Sequence, residues 1–153
     1  MVAACADVAD AIITGLDAQT FTTWDETPRR YMPTNLELEE SQGLQVYVIP
    51  GGSIQTAMSI TKGNVQTDYA IYVLMWESLA GQMDLDIDPD EVDERTTLAE
   101  SIRDYLLGTE FSTAVWCISA EFMNEGGGTL DLDAFIQKRA FLSLISLRLR
   151  AIE

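Results

Sequence analysis

The stretch from Leu44 to Glu77, LQVYVIPGGSIQTAMSITKGNVQTDYAIYVLMWE, constrains this chain more than any other, because three β-type runs follow one another across short glycine-containing breaks. That order predicts an antiparallel meander. From Ile54 to Ile60 the large apolar residues share one parity, the pattern of a strand with one face in a core and one in water. From Tyr69 to Trp76 both parities are apolar, which predicts a central strand covered on both sides. Pro50-Gly51-Gly52 and Lys62-Gly63-Asn64 are the expected turns between the runs.

The flanking sequence adds helices and further strands. Val2, Cys5, Ala6, Ala9, Ile12, Ile13 and Leu16 recur at helical spacing and predict a first helix over Val2 to Leu16. Phe21 to Tyr31 alternates loosely and holds Pro28, so an edge strand ending in a bend is expected there. The acidic segment Pro33 to Gln42 is a predicted loop. Asp88 is a suitable cap and Pro89 suits a first helical position, starting a second helix that runs through Leu98, Ile102 and Leu106 to a stop at Gly108. Phe111 to Phe122 is a predicted strand with Ala114, Trp116, Ile118, Ala120 and Phe122 on one face. After the loop Glu125 to Gly128, a last strand is expected from Phe141 to Ile152, with Phe141, Ile145, Leu147 and Leu149 on one face and Ser146, Arg148 and Arg150 on the other. The expectation is a single α+β domain over residues 1–153, sandwich-like, with a mixed, mainly antiparallel sheet and helices packed against it.

A chain of 153 residues is long enough for a sizeable core, since a domain of this length buries roughly 70% of its unfolded surface. The apolar runs are far shorter than the ~20 residues a membrane span needs, and the N-terminus has no basic segment of the signal-peptide kind, so a soluble protein folding in a cytoplasm is expected. Cys5 and Cys117 lie in separate apolar contexts and are expected as buried thiols rather than a disulfide. Twenty-five acidic and nine basic residues with no histidine give a formal charge of −16, which disfavours broad binding to DNA or anionic lipid.

Catalytic patterns are missing. Without histidine there is no His-dependent triad or His-containing metal site, and two cysteines cannot build a zinc site that needs four thiolates. The glycine clusters lack the strand and helix context of phosphate-binding loops. Asp84-x-Asp86-x-Asp88 matches the first ligand spacings of a calcium loop, but Pro89 stands where that loop needs glycine and Arg95 where it needs a bidentate glutamate. No enzyme activity, cofactor or metal is expected, and Trp24, Trp76 and Trp116 are expected in the core. The basic residues are more informative. Arg29 and Arg30 form one cluster and Arg148 and Arg150 another, in a chain otherwise acidic. Two readings stand: ordinary ion pairs within the chain, or a subunit interface with the carboxylates of an identical neighbour in a head-to-tail contact.

The order of elements resembles a known family. An N-terminal helix, "RRYMPTNLELEESQGLQVYVIP", a hairpin leading to "DYAIYVLMW", an acidic loop, the helix "LAESIRDYLLG" and closing strands are similar to the small tail terminator proteins of long-tailed bacteriophages. The likeness includes the approach to the second strand through Tyr31, Pro33, Leu36 and Glu37, and covers most of the chain as an arrangement; Met58-Ser59-Ile60-Thr61 lacks the basic residue such chains often carry there. The resemblance implies a virion protein of the phage neck, assembled in the host bacterial cytoplasm as a homohexameric ring that ends tail-tube polymerisation and joins the tail to the head connector or stopper protein. Six copies of a −16 chain carry −96 formal charges, so an acidic bore would let DNA pass without specific binding. Glu37, Glu39 and Glu40 with Asp84, Asp86 and Asp88 are the candidate bore-lining residues. The alternatives are another neck component, either a head-completion or a connector protein, and an acidic binding or inhibitor protein that meets a basic partner.

Overall fold

The structure is a computed structural model that describes residues 3–19, 28–30, 44–57, 65–78, 89–112, 114–124, 128–130 and 140–152. Its elements are α1 (Cys5–Asp17), β1 (Leu44–Ala57), β2 (Val65–Ser78), α2 (Pro89–Leu106), β3 (Val115–Phe122) and β4 (Ala140–Ile152). The strands form one antiparallel sheet in the order β1-β2-β4-β3, with both helices on one face, so the α+β architecture is as the sequence predicts. The long apolar strand β2 is interior, with β1 and β4 as neighbours.

Helical spacing puts Val8, Ala9, Ile12 and Leu16 on the buried stripe of α1, which lies over β1 and β2. Ala99, Ile102 and Leu106 do the same for α2, over β3 and β4. They meet Tyr69, Ile71, Val73 and Met75 of β2 and Phe141, Ile145, Leu147 and Leu149 of β4 in the main core. Each buried Val, Leu, Ile, Phe or Met side chain among them contributes about 1.5–3 kcal/mol by leaving water. The opposite parity of β2 enters a second, smaller cluster in which Leu74 and Trp76 join Tyr47, with Ile49, Leu142 and Leu144 packed against them. Both faces of β2 are therefore covered at its Trp76 end.

Three expectations are corrected. The first two β-type runs form one strand: β1 continues through Pro50-Gly51-Gly52, where the pairing with β2 shifts register. The glycines serve a bulge instead of a turn. Gly52 sits at φ +111°, and a Cβ on Gly51 would stand 2.8 Å from the Tyr72 ring and 3.0 Å from the Ala70 carbonyl oxygen. Secondly, Ile54 is not a core residue; it is 72% exposed, and its neighbours from Gly51 to Thr56 are exposed as well. Thirdly, β3 begins at Val115, after a turn with Ser112 and Ala114 at positive φ, and a second register shift lies between Cys117 and Ser119. That shift splits the predicted apolar face. Val115 and Cys117 are buried before it and Ala120 after it, while Trp116 and Ile118 point away from the helices and remain 48% and 42% exposed. The expectation of a core Trp116 therefore fails, whereas Trp76 is buried.

Cys117 is buried and Cys5 half-buried, both as free thiols, with Cys5 Sγ 3.4 Å from the Gly52 carbonyl oxygen. Gly108, at φ +78°, follows α2 as its predicted stop. The chain then returns along β3: Gly108 N donates to Cys117 O at 2.8 Å and Cys117 N to Thr109 O at 3.0 Å. Of the predicted strand over Phe21 to Tyr31, Arg29 makes a parallel bridge to Tyr47 on the outer edge of β1. Residues 21–27 of that strand, with Trp24, and Tyr31, the turn Lys62-Gly63-Asn64, and the loops Pro33 to Gln42 and Gly81 to Asp88 lie outside the described residues.

Candidate docking surface

Antiparallel register sets residues directly opposite one another on the same face of a sheet. One such row crosses all four strands: Ile54 of β1 faces Asp68 of β2, Asp68 faces Arg150 of β4, and Arg150 faces Trp116 of β3. The next row holds Ala70 and Arg148. All lie on the face away from the helices. Toward the Trp76 end this outer face is buried; here it is open, with Ile54, Ala70, Trp116, Ile118 and Arg148 exposed.

Asp68 organises the charge. Arg150 donates from Nε to Oδ1 at 2.8 Å and from a terminal nitrogen to Oδ2 at 3.2 Å. Arg148 donates to Oδ2 at 2.5 Å and, through Nε, at 3.1 Å, and Gln66 adds Nε2 contacts of 3.3 Å to both oxygens. The Arg150 hydrogen bond, supported by Arg148 and opposed by partial burial, holds the Asp68 carboxyl down at about 2. In turn Asp68 raises the Arg150 guanidinium above its usual value. Two cations around one carboxylate give this three-residue cluster net +1 in a chain of −16, with the acids Glu121, opposite Ser146 on the same face, and Glu110, which accepts from Ala114 N at 2.7 Å, nearby. Arg148 keeps 59% of its side chain in solvent while paired. Beside it, Ala114, Trp116, Ile118 and Arg150 line a shallow cavity of about 350 Å³.

The two predicted arginine clusters are thus separate. Arg148 and Arg150 meet on Asp68, whereas Arg29 donates to Gln45 Oε1 at 2.9 Å and stands 5.8 Å over the Tyr47 ring, and Arg30 pairs with Asp10 of α1 at 3.3 Å. Each has a partner within the chain, the first of the two readings, and Arg148 remains available for a second. The candidate bore-lining residues Glu37, Glu39, Glu40, Asp84, Asp86 and Asp88 all lie outside the described residues. Arg95, at the end of the calcium-like string, is bound by Glu77 of β2 through a two-point contact of 2.5 and 3.2 Å. Asp68, Trp116, Ile118 and Ile54 were not legible as a site. The available signal was the i, i+2 spacing of Arg148 and Arg150, which places both on one strand face and asks for an acid opposite.

An open sheet face carrying an exposed tryptophan, two isoleucines and delocalised cations suits contact with another macromolecular surface, with Trp and Arg as the anchoring types. Among the described residues no cluster of three metal-ligating side chains occurs, and no helix is long and apolar enough to cross a membrane. Compared with known proteins, the chain matches no protein-family model and no curated relative.

Proposed function

We propose that this chain is a structural subunit of a phage neck, forming a homohexameric ring that stops growth of the tail tube at its head-proximal end and meets the head connector. The observation that carries the reading is the exposed Trp116 and Arg148–Asp68–Arg150 patch, a cationic and apolar surface on a strongly acidic subunit. A surface of that kind draws together copies that otherwise repel, and a contact between unlike faces of one subunit builds a ring where the rotation between neighbours closes on itself. The α+β fold agrees with the resemblance in element order. The remaining negative charge keeps passing DNA from adhering to the ring.

The test is tube growth in vitro. Purified tail-tube protein is polymerised with and without the chain, and tube length is measured by electron microscopy. Capped tubes of limited length, with a ring at one end, support the proposal. Tubes of unchanged length, together with pull-down by head-connector protein, would move the chain elsewhere in the neck. Binding to neither, with tight salt-sensitive binding to a basic protein, would favour the inhibitor reading.

A further inference from the structure

We propose that the open half of the outer sheet face receives helix α2 of a second copy of this chain. The inference rests on the self-association reading above and names the two surfaces that meet. The outward stripe of α2 is acidic: Asp93, Thr97, Glu100 and Asp104 recur at helical spacing, all exposed, with Asp104 paired to Arg103 at 3.0 Å and Asp93 and Glu100 carrying the stripe's charge, and Leu107, 49% exposed, extends the line just past the helix. Ala99, Ile102 and Leu106 fill the opposite side of that helix, against the core. A subunit therefore carries acids on one layer and the Arg148, Arg150 and Trp116 patch on the face behind the other layer.

Charge complementarity selects this occupant. Two chains of −16 repel over most of their surfaces, and an acidic helix is attracted to the two guanidiniums that Arg148 and Arg150 hold around a single carboxylate. Arg148 already spends one side of its guanidinium on Asp68 and still presents 59% of its side chain to an incoming carboxylate. Ile54, Trp116 and Ile118 supply the apolar area that such an ion contact lacks, and Leu107 supplies a matching apolar residue on the helix side. Because the two surfaces do not overlap, each subunit uses both at once, which makes the contact head-to-tail.

The experiment compares solution mass by light scattering, over concentration and salt, for the wild type, Trp116→Ser, Arg148→Glu and the double variant Asp93→Lys/Glu100→Lys. Circular dichroism and thermal melting check the fold of each. The wild type is expected to associate, less so at about 1 M salt, where ion contacts are screened. Trp116→Ser should weaken association by at least about 10-fold, and both charge variants should remain monomeric alone. Mixing Arg148→Glu with Asp93→Lys/Glu100→Lys should restore assembly, since one new contact is the native pair and the other is its charge-swapped form. If Arg148→Glu does not fold, Trp116→Ser and the α2 double variant still decide. A wild type that assembles and variants that assemble equally well would overturn this surface while leaving self-association intact. Loss with Trp116→Ser but not with the α2 variant would overturn the proposed occupant. A wild type monomeric at all concentrations, and monomeric still when tail tubes are added, would overturn both readings.

Discussion

Replacing Asp68 with Asn isolates the electrostatics of the candidate surface. The Asp68 carboxyl is held at about 2 against an ordinary 3.8, chiefly by its hydrogen bond from Arg150. A difference of about 1.8 pH units corresponds to roughly 2.4 kcal/mol. Arg148 is more than half exposed and screened by water and salt, so the realised contribution is nearer about 1–2 kcal/mol. The folded-state value is depressed, so this stability is fully present above the unfolded value near 4 and disappears as pH falls through about 2. About half of it remains at pH 3 and about a sixth at pH 2 by the same linkage. Asn also leaves Arg148 and Arg150 side by side without their shared counter-charge. Urea unfolding of wild type and Asp68→Asn at constant ionic strength should thus show a gap of about 1–2 kcal/mol at pH 7 that narrows to about half at pH 3. A gap that is absent at pH 7, or as wide at pH 3 as at pH 7, would refute the ionised cluster as a source of stability.

Four further outcomes follow from packing. Gly15→Ala would normally favour a helix by about 1 kcal/mol, but a Cβ there lies 2.8 Å from the Tyr105 hydroxyl and 3.0 Å from the Phe111 ring. Thermal melting should show a net loss of about 1–2 kcal/mol from this overpacking. Ile54→Thr should change stability by no more than about 0.5 kcal/mol, whereas Ile71→Ala, in the main core, should cost about 2–5 kcal/mol; comparable losses from the two would contradict the parity assigned to β1 after its bulge. The buried Thr67 hydroxyl has no hydrogen-bond partner among the described residues, so Thr67→Val should raise the urea midpoint, by about 1 kcal/mol in stability. Burial pushes the Cys117 thiol up to about 11, so in a Cys5→Ser variant an aromatic disulfide reagent at about pH 8 should leave Cys117 unlabelled until urea unfolds the chain.

Helices were the most legible part of this fold. A buried stripe at helical spacing places Ala9, Ile12 and Leu16, and Ala99, Ile102 and Leu106, without reference to any other element. The strands were legible as strands, and the last one as to faces, because Ile145 to Arg150 alternates without interruption. Bulges were not legible. Pro50-Gly51-Gly52 has the composition of a turn, and its use as a bulge is decided by β2 pairing along the whole of β1. One extra residue in a strand inverts every side chain beyond it, which puts Ile54 on the outer face and leaves Trp116, before the second shift, on the opposite side of the sheet from Ala120 after it. The candidate surface was half legible for the same reason. Arg148 and Arg150 announced a cationic strand face, but Asp68 lies 80 and 82 residues away and is brought to them only by the β2–β4 register. Arg29 and Arg30, adjacent in sequence, reach separate partners on β1 and α1.

We propose above that the chain assembles with itself at the end of a tail tube. The most direct test of that assembly is the solution mass of the wild-type protein by light scattering across concentration, with and without purified tail tubes. Either a stable species of about 101 kDa, six copies of 16.9 kDa, or a monomer that becomes a ring at tube ends is expected. A monomer or dimer indifferent to tubes at every concentration would contradict the proposal.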